Sequence, residues 1–420
     1  MKTTEDKKSK IKQSIQETRE KRKTQRCCVF ELKIDYSKLN KIQKENLKMY
    51  FVEAKWLYNF FLSNNDIFKQ SDKIDKVLTK NKEGEFVEKE LKYLPSKLKQ
   101  SILYQLRQNI INLSKVKKNK HGKLKFKREI NSLDFNQYEN THRIIDNRRI
   151  RLSGIKKPLI VKGLEQVKDC EIANAKLIKK ASGYYIKLTC FKNLLEKDFN
   201  FINKKGDIGI DFGIKDNIVT SNGEFFNIKI QEDESLKRLQ KQLAKKKKGS
   251  KNSYKMKFKL RRKYEKISNQ KQDKVNKLVN YLCLNHNTIF MQDENIKGWH
   301  AGLFGRQIQM SALGSLKSKL SKQNNVKIID RFLPTTKLCF HCGKRLDIKL
   351  SDRIFKCDCG YEEQRDIKSA KTILYFGRFN INYIPVERRE STLLEKKTSG
   401  NESKDSNLSY ASMKKEAKVL

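Results

Sequence analysis

Apolar and polar positions change rhythm several times along this chain. Residues 1–25 carry dense charge and almost no large apolar side chains, which predicts a basic arm, disordered or loosely helical. CCVFELKI at 27–34 then shows the period of two expected of a strand, with Val29, Leu32 and Ile34 apolar across one slip of phase. Residues 40–63 follow a helical period and end in the aromatics Trp56, Tyr58, Phe60 and Phe61. A second helix is predicted over about 95–115. Pro95 and Ser96 give its start signal, and Leu98, Ile102, Leu106, Ile110 and Leu113 follow on one face. Its other face carries Lys97, Lys99, Gln100, Gln105, Arg107 and Gln108, which suits either a solvated surface or one that meets DNA or RNA. Residues 116–127 read as a basic turn. Short strands dominate from 132 to 192, most clearly in KLIKKASGYYIKLTCF, two strands joined at Ala181–Gly183. Strands, a helical insertion and strands again predict a β-barrel interrupted by a helical domain.

The second half has its own order. Residues 206–230 alternate as short strands, and Asn222–Gly223 is the preferred type I′ hairpin pair. Residues 232–282 are helical with a break near KKKKGSKNS, where two antiparallel helices would turn. TIFMQD (288–293) predicts a buried strand, 306–323 a helix, VKIID (326–330) a strand, and 366–376 a helix. From 386 onward the chain is polar and Ser-rich, which predicts disorder.

Charge narrows the possible partners. There are 95 Lys and Arg against 48 Asp and Glu, a formal net charge of +47. Such an excess repels itself unless a polyanion neutralises it, and nucleic acid is the natural one. A small-molecule enzyme without a polyanionic substrate is disfavoured. With 37% hydrophobic residues the chain still builds cores, and 420 residues suit two to four domains. No run of about 18 apolar residues predicts a membrane span, and the N-terminal segment lacks the apolar core of a signal peptide. The expectation is a cytoplasmic protein, nucleoid-associated in a bacterium, where disulfides are rare. Of nine cysteines, Cys27, Cys28, Cys170, Cys190 and Cys283 sit in apolar surroundings and read as core thiols.

The other four cluster. Cys339-Phe340-His341-Cys342 and Cys357-Asp358-Cys359 are 14 residues apart, and Gly343 and Gly360 follow the pairs as tight knuckle turns require. Four thiolates satisfy tetrahedral Zn²⁺ with no open position, so the predicted site is structural. His341, between two ligands, is expected not to be one. A second constellation is acidic. Asp211 follows the apolar strand Ile208-Gly209-Ile210, Glu294 ends the strand at 288–293, and Asp366 begins a helix bearing Ile367, Ala370, Ile373 and Leu374. Singly, Asp366 suits a helix N-cap and Asp211 a turn. Together, three acids at the ends of three elements can converge at a sheet edge and hold two Mg²⁺ for phosphodiester hydrolysis.

Three motifs in order carry a family resemblance: GIDFGIKDNIVTSNG, IFMQDENIKGW, and the zinc ribbon running into CGYEEQRDIKSAKTIL. With QIQMSALGSLKSKL between them, the stretch from about 205 to 376 resembles TnpB (OrfB), the RNA-guided nuclease family of bacterial insertion sequences. More distantly it is similar to compact type V CRISPR effectors. KFKREINSLDF at 125–135 extends the likeness. The resemblance implies a RuvC-like nuclease with an RNase H fold and an Asp–Glu–Asp site, with Asp211 the first acid and Asp366 the last. Many relatives have Glu-Asp-Leu-Asn where this chain has Gln292-Asp293-Glu294-Asn295, but a Gln-Asp-Glu-Asn form recurs in the family. The middle acid is therefore read as Glu294, with Asp293 second. Arg365 matches an Arg kept near the scissile phosphate, and Lys368 replaces a common Asn.

The implied fold class is multidomain α+β. A basic arm (1–25) precedes a wedge-like β-barrel (26–39 and 125–200) that is interrupted by a helical recognition domain (40–124). The RuvC-like nuclease (205–335 and 363–378) holds an inserted zinc ribbon (336–362) and precedes a disordered tail (379–420). The implied partners are a guide RNA and a double-stranded DNA target with a short adjacent motif, and a monomer is favoured. Lys97, Gln100 and Gln105 are candidates for reading that motif, and Lys245 and Lys246 in the lysine run for phosphate contact. A nuclease-dead RNA-guided repressor, a CRISPR effector and a DNA-joining transposase remain as alternatives.

Overall fold

The structure is a computed structural model that describes residues 4–64, 66–81, 83–115, 124–193, 204–230, 233–349 and 352–379. Residues 116–123 of the expected basic turn (116–127) and those beyond Phe379 lie outside the described residues. The chain divides into two units, 1–200 and 201–420.

The first unit opens with helix α1 (Thr4–Lys23), so of the two states expected of the basic arm, disordered or loosely helical, it takes the helical one. Its Lys, Glu, Gln and Arg content favours helix, and no Gly or Pro interrupts it. Its end is tied down: Arg22 stacks 3.6 Å from the Phe191 ring centroid and pairs with Glu171 at 2.7 Å. There follow β1 (Gln25–Ile34), α2 (Lys41–Ser63), the hairpin β2 (Lys76–Lys80) and β3 (Phe86–Glu90), and α3 (Ser96–Ser114). Then come β4 (Ser132–Phe135), β5 (His142–Asp146), β6 (Arg149–Leu152), β7 (Leu159–Lys162), β8 (Glu171–Lys180) and β9 (Gly183–Asn193). The sheet order is β4-β8-β9-β1-β7-β6-β5, seven strands paired antiparallel throughout. The β2–β3 hairpin was not foreseen, because its short, charged alternation looks like loop.

One phase differs from expectation. In β1 the inward side is Cys28, Phe30, Leu32 and Ile34 without a slip, and Val29 is 54% exposed. Cys27 consequently faces solvent and is not a core thiol; of the five so expected only Cys190 is fully buried. The core joins Leu32, Ile34, Ile186 and Leu188 to Leu47, Leu57 and Phe61 of α2 and to Leu98 and Leu106 of α3. Asn40 starts α2 with a reciprocal cap: Gln43 N–H donates to its Oδ1 (2.8 Å) and Asn40 N–H to Gln43 Oε1 (3.0 Å). Buried Glu53 accepts the backbone N–H groups of Lys92, Tyr93 and Leu94, and so orders the chain entering α3.

The second unit contains β10 (Ile208–Phe212), β11 (Ile218–Thr220), β12 (Phe225–Phe226), α4 (Glu234–Ala244), α5 (Lys251–Asn285) and β13 (Ile289–Gln292). It continues with α6 (Ile296–Ala301), α7 (Gly305–Ser311), α8 (Leu313–Leu320) and β14 (Val326–Ile329), then β15 (Ile354–Lys356), β16 (Glu362–Gln364) and α9 (Arg365–Arg378). The expected helix at 306–323 is split at Ala312, whose φ of 56° no neighbouring residue type announces. The hairpin at Asn222–Gly223 also differs. Gly223 alone takes positive φ (81°), and its N–H bonds to Thr220 C=O, so the loop is a turn closed by a left-handed glycine and not type I′. Among the described residues no helix is long and apolar enough to cross a membrane.

The main sheet has the order β12-β11-β10-β13-β14, with β10, β13 and β14 parallel. Ile208, Ile210, Ile289 and Met291 pack into one core with Val275 and Leu282 of α5 and Leu313, Leu316 and Leu320 of α8. The opposite face belongs to α9. A Cβ on Gly209 would lie 2.1 Å from Ala370 C=O and 2.7 Å from Leu374 N. Gly209→Ala should force α9 off β10 and cost about 1–3 kcal/mol, the usual range for overpacking. A fall in the urea unfolding midpoint at unchanged slope is the measurement that checks it.

Candidate active site and metal centre

Asp211 lies near the carboxyl end of β10, on the same face as Gly209, beneath α9. Glu294 follows the carboxyl end of β13, the parallel neighbour of β10, so both acids stand at one sheet edge. Asp366 is the second residue of α9 and so sits where that helix meets the sheet. Asp211 is therefore within electrostatic reach of both other sequence-predicted acids, although among the described residues only the four cysteines form a group tight enough to hold one ion. Asp211 feels the other two acids as like charges. Burial first, then Glu294 and Asp366, push its carboxyl up to about 8, against the smaller opposing pulls of the Phe212 N–H and Arg365. Burial likewise raises Glu294, with Lys317 opposing.

The two residues before Glu294 are engaged elsewhere. Gln292 is buried; its Nε2 donates to Asp330 C=O (3.0 Å) and Leu333 C=O (2.8 Å), and its Oε1 accepts from Thr335 Oγ1 (3.4 Å). It is a brace for the 330–335 segment. Asp293 pairs with Lys317 at 2.5 Å and with Arg331, and those bonds hold its carboxyl below the usual range. Lys317 also donates to the Glu294 carbonyl (2.7 Å), which fixes the backbone at the strand end. Lys317 and Arg331 were invisible to sequence reasoning, since a lysine on a helix and an arginine in a loop carry no local signal.

Arg365 is buried, its Nη1 donating to Asp352 C=O (2.8 Å) and Lys349 C=O (3.4 Å), with Nε 3.5 Å from Asp366 Oδ1. It fastens the first turn of α9 to the cysteine-bearing segment, a placement the expected phosphate contact did not include. Lys368 is fully buried, and burial pushes it down to about 8.

The four cysteines meet at one point. All four Sγ atoms lie within 4.8 Å of one another, with Cys339–Cys359 at 3.8 Å and Cys342–Cys357 at 3.5 Å. Four sulfurs at a Zn–S length of about 2.3 Å in a tetrahedron are roughly 3.8 Å apart, so the donors and their spacing fit zinc. Gly343 (φ 77°) donates to Cys339 C=O and Gly360 (φ 84°) to Cys357 C=O, the two knuckle turns. Burial pushes the Cys339 thiol up to about 12, so its thiolate depends on a bound cation. His341 stacks on Tyr361 (5.6 Å between centroids) outside the thiol group, as expected of a non-ligand.

In the first unit, the helix face read as one surface divides. Lys99 is buried on Asp75 and Ile74 C=O (2.8 Å each), and Arg107 binds the carbonyls of Ile67, Phe68 and Gln70. Lys97 and Gln100 line a cavity of about 260 Å³ with Tyr104, Asn136, Gln137 and Thr141. Gln105, about 140° around the helix from Gln100, lines a different cleft with Tyr58 and Lys127. In the second unit Lys245 and Lys246 are exposed in the turn between α4 and α5.

A family described as "Probable transposase" (OrfB_IS605) matches residues 196–299, and the "Cas12f1-like, TNB domain" matches residues 314–373. The first match contains Asp211 and Glu294, and the second contains all four ligand cysteines and Asp366. A curated protein of Streptomyces pristinaespiralis, "Putative RNA-guided DNA endonuclease", is 31% identical over 180 residues. The chain resembles the TnpB-like, compact type V proteins. The curated match covers 40% of this chain and 45% of the relative, so the chain spans less than half the length of that curated protein. A solved Cas12f1–sgRNA–target DNA complex is 15% identical over 66% of this chain and 70% of that one, at a TM-score of 0.38. A CRISPR–Cas12f ternary complex is 14% identical over 80% and 81%, at 0.26. Likenesses this distant carry no argument about the fold.

The raised carboxyl of Asp211 sets a pH dependence. An unfolded Asp titrates near about 3.9, so between about 4 and about 8 the folded chain holds a proton that the unfolded one releases. This contribution is fully present below about 4 and is lost as pH rises through about 8. In metal-free protein, Asp211→Asn should gain stability over wild type as pH rises from 5 to 9, by up to about 1.4 kcal/mol per unit within the window. Denaturant melts of both proteins at several pH values check this.

Proposed function

We propose that this protein is an RNA-guided DNA endonuclease of a transposable element, with Asp211, Glu294 and Asp366 as its catalytic acids. The observation that carries the proposal is the burdened carboxyl of Asp211, which feels two further carboxylates, Glu294 after the parallel neighbour strand β13 and Asp366 in the first turn of α9. Structural networks disperse like charges, whereas an active site gathers them and lets a cation neutralise them. The set is hard oxygen only, the donor chemistry of Mg²⁺. Bound there, a pair of Mg²⁺ ions would supply an activated water and charge stabilisation for phosphodiester hydrolysis. The chain's own part is to place the three carboxylates, through strand register and the close approach of α9. The sheet with acids on β10, after β13 and on α9 supports a RuvC-like nuclease, and the four thiols support a structural Zn²⁺ in the inserted ribbon.

The first unit then supplies recognition. Its seven-stranded sheet with α2 and α3 inserted is read as the wedge and recognition part. The cavity lined by Lys97, Gln100 and Tyr104 suits contacts to base edges and phosphates beside the target. Guide RNA pairing would choose the target, in the division of labour of RNA-guided effectors. The retained acids count against a nuclease-dead repressor, because Gln292 is engaged as a brace and Glu294 stands in its stead.

With the guide RNA that copurifies with the protein, Asp211→Ala and Asp366→Ala should each lower Mg²⁺-dependent cleavage of matched DNA at least about 100-fold and leave RNA binding intact. Full-rate cutting by either variant overturns the site, and copurification of no discrete RNA overturns the guided reading.

A further inference from the structure

Lys368 is an unusual residue to find with no exposed surface. Its ammonium donates to Thr335 C=O and Thr336 C=O, both at 2.8 Å, and lies 3.9 Å from the centroid of the Phe355 ring. Two carbonyls and an aromatic face satisfy a group with three donors. The anchors flank both halves of the cysteine site. Thr335 and Thr336 lead into Cys339, while Phe355 lies two residues before Cys357 and packs in the small core formed with those two cysteines. At its other end Lys368 belongs to the first turns of α9, two residues after Asp366. The charges acting on its ammonium are Cys339, Cys357 and Asp211, one pair from the thiol site and one from the acid site. The same turn of α9 is held a second time, where Arg365 N–H donates to Arg353 C=O at 2.8 Å.

We propose that Lys368 is a positioning residue that transmits the folded state of the four-thiol site to Asp366, so that zinc occupancy sets the affinity of the acid site for its divalent cation. This rests on the nuclease reading of Asp211 and Asp366. If the knuckles lose their metal, the segments bearing Thr335, Thr336 and Phe355 lose their common tether. The clamp on Lys368 then loosens, and the first turn of α9 no longer fixes Asp366 within electrostatic reach of Asp211. The ribbon in this arrangement is part of the scaffold of the acid site.

The test is Mn²⁺ binding to the full chain with its copurified RNA, followed by electron paramagnetic resonance, with zinc content measured in parallel. Asp211→Asn comes first: if it leaves Mn²⁺ binding at wild-type level, the acid-site reading itself fails. Given that it lowers binding, Lys368→Met and Lys368→Gln should retain zinc and a wild-type circular dichroism spectrum below their melting point, yet bind Mn²⁺ about tenfold more weakly. A residue that merely stabilises the fold would lower the melting temperature and leave that affinity alone. Wild-type protein stripped of zinc by a thiol-selective chelator should show the same weakening, which keeps the test open should both variants fail to fold. Affinity within twofold of wild type, in a folded variant or in the stripped protein, overturns the proposal.

Discussion

The close contact of α9 with β10 is the constraint on which the second unit depends. It requires a residue with no side chain at 209, because a single methyl group would meet the Ala370 carbonyl. With glycine there, the start of α9 places Asp366 near Asp211, and the parallel register of β10 and β13 brings Glu294 to the same edge. The result is electrostatically unfavourable, as the upward push on Asp211 by Glu294 and Asp366 records. A fold that gathers acids this way gains from a cation and loses without one. The same arrangement that makes the site chemically useful makes the cation-free site a weak point.

Local neutralisation decides which charges take part. The net charge of +47 suggests cations in excess everywhere. Around the acids, however, the nearby cations are engaged. Lys317 and Arg331 hold Asp293, Arg365 holds the carbonyls of Lys349 and Asp352, and Lys368 holds those of Thr335 and Thr336. In the first unit Lys99 and Arg107 are likewise bound to carbonyls. Formal charge therefore overstates the number of cations presented to a polyanion. Those that remain on the surface, such as Lys97 beside its cavity and Lys245 and Lys246 in their turn, are the ones that suit phosphate contact.

The geometry of the four-thiol cluster is local in origin, and so it could be read from spacing. Two cysteine pairs with glycines following them specify knuckle turns, and the sulfurs then converge within zinc distance. Helix and strand positions were legible for the same reason, since hydrophobic period depends on neighbours a few residues away. The acids Asp211 and Asp366 were legible as ends of such elements.

What the sequence by itself determined is thus the order of elements, the two cysteine knuckles and the placing of Asp211 and Asp366 at the ends of elements. Only the tertiary structure decided between residues that look alike along the chain. It made Gln292 a brace and Asp293 an ion-pair partner, and left Glu294 as the residue of the three whose charge Asp211 feels. It sent Gln100 and Gln105 to different clefts, buried Lys99 and Lys368, and turned Cys27 outward. These outcomes depend on partners far along the chain, as far as Phe191 opposite Cys27, on strand register and on which backbone carbonyls lie within hydrogen-bond reach. A one-residue shift of phase changes the face a side chain occupies, and no local pattern encodes what waits on that face.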